Sequence, residues 1–143
     1  MREGLTFSEL AMEDWQSGKV DDRLVEALEI LGRRNDLFIK TIKSGHPLGE
    51  FSPSGVENTH FFHRAADIFR VGGLGIAGNE TSAAMLALGL ALRDLPPAVR
   101  PERIYGPAAW HGALGFGADQ GFISDEFHDR IHVDHIHIGY GRR

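Results

Sequence analysis

The 143-residue chain has no cysteine. That excludes a disulfide framework, a thiol nucleophile and any zinc-finger or iron–sulfur site built on thiolates. Positive charge is also short: 15 Lys and Arg stand against 20 Asp and Glu, a formal net charge of −5. With no basic excess to meet phosphates, no nucleic-acid partner is expected. Long apolar runs are missing too. The longest, residues 83–92, is about half of the roughly 20 residues a membrane-spanning helix needs, so no membrane span is expected.

Histidine is abundant. The chain has eight, against three Met, two Trp and two Tyr, and four of them (His128, His132, His135 and His137) lie within ten positions. Without thiolates, any bound metal must be held by His, Asp or Glu. The length suits one domain over 1–143, and 42% apolar with 24% charged residues is ordinary for a globular protein.

The apolar pattern predicts an α+β fold with a small antiparallel sheet and packed helices. Residues 1–20 read as helical or irregular. Leu24, Leu28 and Leu31 recur at helical spacing, predicting a helix over 22–34 capped by Asp21 or Asp22. Alternation predicts a strand over 36–42, then a Gly-, Pro- and Ser-rich loop over 44–58 and a second strand over 64–71. A largely apolar helix over 79–95 is expected, capped by Asn79 or Thr81, stopped by Pro96-Pro97 and buried centrally. Residues 103–105 read as a short strand, 106–122 as a loop, 124–130 as a helical turn and 132–140 as a strand.

Two clusters in this outline can carry chemistry. In Asp134-His135-Ile136-His137, the two histidines are two apart on a strand and share a face. The same spacing also fits a solvated strand with surface histidines. In Asn58-Thr59-His60-Phe61-Phe62-His63-Arg64-Ala65-Ala66-Asp67, a turn carrying His60 leads into a strand carrying Asp67. Two histidines and an aspartate from neighbouring elements give three N/O donors and leave one tetrahedral position open, the arrangement of catalytic zinc. Taken singly, His60 reads equally as an ordinary histidine and Asp67 as a turn or capping acid.

The Asn58–Asp67 stretch resembles the Ser-x-His-x-x-Gly-x-Ala-x-Asp signature of the M15 peptidases, the zinc D-Ala-D-Ala carboxypeptidases and related peptidoglycan endolysins, which share the hedgehog/DD-peptidase fold. Asp134-His135-Ile136-His137 resembles their Asp/Glu-x-x-His, and Lys43-Ser44-Gly45-His46-Pro47 their upstream Ser-Gly-Tyr-Arg region. The resemblance implies Zn2+ held by His60, Asp67 and His137, with Asp134 as general base. A related His-x-His pattern puts His135 in the catalytic role instead. It further implies cleavage of peptidoglycan stem peptides, as carboxypeptidase or endopeptidase, with Lys43, Ser44, His46 and Arg64 at the substrate. Trp110, in the loop after residue 106, is a candidate cleft wall, and it reads equally as a packing anchor. His111, His128 and His132 read as surface or supporting groups.

Three positions depart from the family pattern. Asn58 replaces Ser, His63 replaces Gly, and His46 stands where an Arg is common. The departures leave room for a catalytically inactive zinc module of the same fold that binds cell-wall peptides. No export signal is evident at the N-terminus. The expectation is therefore a protein that is cytoplasmic as synthesised, or delivered to the wall by another route. A separate possibility is nucleotide-binding oxidoreductase chemistry at Gly73-Leu74-Gly75-Ile76-Ala77-Gly78, a Gly-x-Gly-x-x-Gly run between a strand and a helix.

Overall fold

The computed structural model describes residues 4–47, 49–51, 57–112, 114–115, 117, 120–123 and 132–142. The chain opens with a short strand β1 (Leu5–Phe7), followed by helices α1 (Glu9–Gln16) and α2 (Asp22–Gly32). Strands β2 (Leu37–Thr41), β3 (Ala65–Val71) and β4 (Leu74–Gly75) come next, then helix α3 (Ala83–Arg93). A 3-10 turn at Pro97–Val99, strand β5 (Arg103–Tyr105), a short helix α4 (Ala109–Gly112) and strand β6 (Ile136–Gly139) complete the described elements.

The strands form one sheet in the order β1-β2-β3-β6-β5, with β4 hairpinned onto β3. The expected sheet was antiparallel, but β1 runs parallel to β2, so the sheet is mixed. The parallel pair follows from connectivity: α1 and α2 form the crossover that parallel strands require. The N-terminal segment is therefore a strand and a helix rather than helical or irregular throughout.

Local chemistry sets the helix ends. Ser8 Oγ accepts the Ala11 N–H at 3.1 Å and starts α1. The Asp21 carboxylate accepts the Arg23 N–H at 2.9 Å and starts α2. α3 begins later than its apolar pattern suggests, capped by Ser82 rather than Asn79 or Thr81. The delay comes from the preceding hairpin. Gly72 and Gly73 both have positive φ (61° and 79°), the backbone that a two-residue hairpin loop demands. The Gly73–Gly78 run is thus a turn and a strand rather than a phosphate loop opening directly into a helix. That removes the basis for the oxidoreductase reading.

Register divides the sheet into two unlike faces. Ala66 opposes Ile138, Ile68 opposes Ile136, and Ile104 opposes Ile138, forming an aliphatic face. Leu24, Leu28 and Leu31 of α2 and Met85, Leu88 and Leu92 of α3 join it in one buried cluster. Each such side chain contributes about 1.5–3 kcal/mol by leaving water. α3 buries one face only, since Leu90 is 38% exposed. Trp110 is fully buried in this cluster and its indole N–H donates to Met85 O at 3.0 Å. A Cβ on Gly89 or Gly106 would collide with the indole. Trp110 is therefore a core anchor and not the wall of a substrate cleft. Residues 124–130 lie outside the described residues, and of the expected strand over 132–140 only Ile136–Gly139 pairs. Among the described residues, no helix is long and apolar enough to cross a membrane.

Candidate metal centre

The residues one step out of phase with the aliphatic rows make the opposite face. Asp67 on β3 stands directly across from His137 on β6, and His137 stands across from Tyr105 on β5. The two-residue period of the strands thus delivers Asp67 and His137 to one spot.

His60 arrives from the turn before β3. The Asn58 carboxamide oxygen accepts the His60 N–H at 3.2 Å, and its amide donates to Gly49 O at 2.8 Å. Asn58 therefore acts as a turn former. The turn closes through His63, whose φ is +59°. The backbone here has the left-handed geometry that glycine adopts without cost. The bulky histidine retains the turn at the expense of strain.

The three side chains converge. His60 Nε2 lies 3.1 Å from Asp67 Oδ1 and 3.1 Å from His137 Nδ1, and His137 Nδ1 lies 3.3 Å from Asp67 Oδ1. Donor atoms held about 2.0–2.1 Å from a tetrahedral zinc stand about 3.3 Å from one another. The triangle already has that edge. His60, Asp67 and His137 are 2%, 6% and 7% exposed. The other ring nitrogen of His60, Nδ1, donates to Ile42 O at 2.6 Å, which fixes the ring so that Nε2 points at the triangle. Gly139 leaves the space beside His137 open: a Cβ there would lie 2.8 Å from both His137 Nε2 and Thr59 Oγ1.

Electrostatics agree with a cation-seeking site. Burial pushes the Asp67 carboxyl up, but the adjoining His60 and His137 overcome it and hold Asp67 well below the usual carboxylate range. Burial pushes His60 down, yet the Asp67 charge and hydrogen bond leave it raised. For His137 burial wins, lowering it to about 4, so its lone pair is available at neutral pH. A proton on His60 Nε2 occupies the position a metal ion would take.

The remaining residues surround this triangle. His135 lies just before β6, with Nε2 3.9 Å from Asp67 Oδ1 and its ring stacked on Phe69 at 5.0 Å. Asp134 Oδ1 takes the His135 Nδ1–H at 2.7 Å while remaining largely exposed. Asp134 and His135 are thus hydrogen-bonded to each other, with His135 nearer the triangle and Asp134 behind it. His46 stacks on His60, ring centroids 4.3 Å apart. The ligating atoms of His46, His60 and Asp67 lie within 4.8 Å of one another, a group that could hold a metal ion.

The other expected substrate residues are engaged elsewhere. Ser44 donates its hydroxyl and its N–H to Asp14. Lys43 Nζ sits over the Phe61 ring at 4.7 Å. Arg64 is buried, pairs with Glu57 and lies over Phe62. His128 falls outside the described residues.

Two contributors were not marked by spacing. His132 is buried, stacked on Tyr105 at 4.7 Å and packed against His135 at 4.8 Å. Tyr105 in turn leans on His137 at 5.1 Å. Its parity on β5, opposite to Ile104, was the one available signal. Comparisons with protein-family models, curated proteins and solved structures find no match.

Proposed function

We propose that this chain is a zinc-dependent peptidase that hydrolyses peptide bonds in peptidoglycan stem peptides. The observation that carries the reading is the buried His60–Asp67–His137 triangle with the His135–Asp134 pair beside it. Two imidazoles and a carboxylate are a donor set that suits zinc. The peptidoglycan substrate is supported by the resemblance of residues 58–67 and 134–137 to the zinc D-Ala-D-Ala carboxypeptidase signature, including left-handed backbone at the signature's glycine position.

His60 Nε2, Asp67 Oδ1 and His137 Nδ1 would hold the ion. When bound, it supplies Lewis acidity to the scissile carbonyl and acidifies water. His135 Nε2, 3.9 Å from Asp67 Oδ1, would take a proton from attacking water and return it to the leaving amine. Asp134, by accepting the Nδ1–H, keeps the Nε2 lone pair directed inward and stabilises the imidazolium that forms. His132 and Phe69 pack against the His135 ring and hold its plane.

Digestion of purified peptidoglycan followed by mass analysis of the products tests this reading. Released D-Ala or shortened stems are expected, lost with a chelator, restored by zinc, and lost in His135→Ala. Products unchanged from an enzyme-free control would refute it.

A further inference from the structure

His46 is supplied by a constructed turn. Asp14 on α1 is 6% exposed, and its Oδ2 accepts the N–H groups of Lys43 and Ser44 at 3.0 and 2.8 Å. Its Oδ1 accepts the Ser44 hydroxyl at 2.8 Å. Gly45 then adopts a φ of +87° against Leu10, and the His46 N–H returns to Lys43 O at 3.1 Å. The segment from Ile42 to His46 thus does two things at one site. Its first residue tethers His60 through a carbonyl, and its last lays an imidazole face to face on the same His60 ring, with an interplanar angle of 23°.

We propose that His46 is a fourth protein donor to this centre, closing the coordination position that catalysis needs. The inference rests on the zinc reading above. His60 and Asp67 belong to both donor groups: the tight one completed by His137, and the wider one, within 4.8 Å, completed by His46. The wider spacing and the stacked ring mean that His46 must draw inward and tilt out of its stack on His60 to aim a nitrogen lone pair at the ion, and it is the donor most easily withdrawn. Four protein donors make a closed centre and three an open one. The resting protein is accordingly a restrained enzyme whose substrate displaces His46, which fits a histidine in the region where the family often carries a non-coordinating arginine.

The test uses metal-free wild type, His46→Ala and His46→Gln. Zinc affinity is read by chelator competition, and cobalt(II) spectra are recorded with and without azide as an exogenous ligand. The wild-type cobalt spectrum should not respond to azide. Both variants should bind zinc about 10- to 100-fold more weakly, at least the loss typical for removing a group that supports a metal site, and their cobalt spectra should shift with azide. Equal zinc affinity in all three proteins, or equal azide response, overturns the fourth-donor assignment while leaving the zinc site standing. A wild type that takes up neither metal overturns the functional reading and this inference with it.

Discussion

Asp14 and Asp67 are the two buried carboxylates among the described residues, and they are solvated in opposite ways. Asp14 is surrounded by neutral donors, two backbone amides and a hydroxyl. Both carboxylate oxygens accept from these groups, which have no metal ion to take up in exchange. Asp67 faces the imidazoles of His60 and His137, with a third, His135, at 3.9 Å. Imidazoles can give up a proton and accept a metal ion in its place. One carboxylate therefore holds a turn together, while the other holds a site whose occupant can change. Burial alone does not distinguish them; the chemistry of the partners does.

The largest expected break in this comparison is in metal affinity. Asp67→Ala should lower zinc affinity by roughly 100- to 1,000-fold, about a quarter of the 10–16 kcal/mol typical of a four-donor zinc site. Asp14→Ala should leave one zinc per chain, weakened no further than by loss of His46, about 10- to 100-fold. Chelator competition on both variants measures the contrast.

The second break is in stability. Asp14→Asn exchanges charge-assisted hydrogen bonds for weaker ones and should cost about 2 kcal/mol in denaturant unfolding. Its pH dependence has a definite sign. Burial pushes Asp14 up, but the Ser44 and Lys43 amides and the Ser44 hydroxyl outweigh it and keep the folded value below the usual one. The stabilisation is therefore present above the unfolded value, about pH 4, and is lost as pH falls through the folded value. The wild-type advantage over Asp14→Asn should shrink on acidification below about pH 4.

A third change acts on the Asp67 side alone. Gly139→Ala places a methyl group against His137 Nε2 and Thr59 Oγ1 and should destabilise by about 1 kcal/mol, at the low end for overpacking. Zinc affinity should fall with it, whereas Asp14 and its turn should be untouched. The smallest effect is expected at His63, whose charge is felt by Asp14. His63→Gly relieves left-handed strain of about 1–2 kcal/mol but adds freedom to the unfolded chain. A net gain of about 0.5 kcal/mol, read from the melting temperature, is the expected result.

The metal side of the comparison was legible in the residues and the Asp14 side was not. The ligand set His60, Asp67 and His137 came from the resemblance of the two motifs; the strand period explains why Asp67 and His137 share a face once β3 and β6 pair, a register that local sequence does not fix. Asp14 is bonded to residues 29 and 30 positions away, which leaves no periodic trace. The same reason hid β1, whose three residues pair across a helical crossover; for Trp110 the structure decides for the packing anchor over the cleft wall. His132 read only as a surface or supporting group at the start of a strand, whereas it lies in a turn and is buried. The late start of α3 was obscured by glycines whose positive φ serves a hairpin. The Asp134–His135 pair was visible as two rival assignments, and only the 2.7 Å contact between them joins them into one.

The most direct measurement is zinc titration of the metal-free chain by calorimetry, alongside His60→Ala and His137→Ala. The expected outcome is one tightly bound zinc per chain in the wild type, weakened at least 100-fold in both variants, consistent with losing one donor of a few. Wild type that binds no zinc, or binds it as tightly as variants lacking His60 or His137, would contradict the metal centre and the peptidase reading built on it.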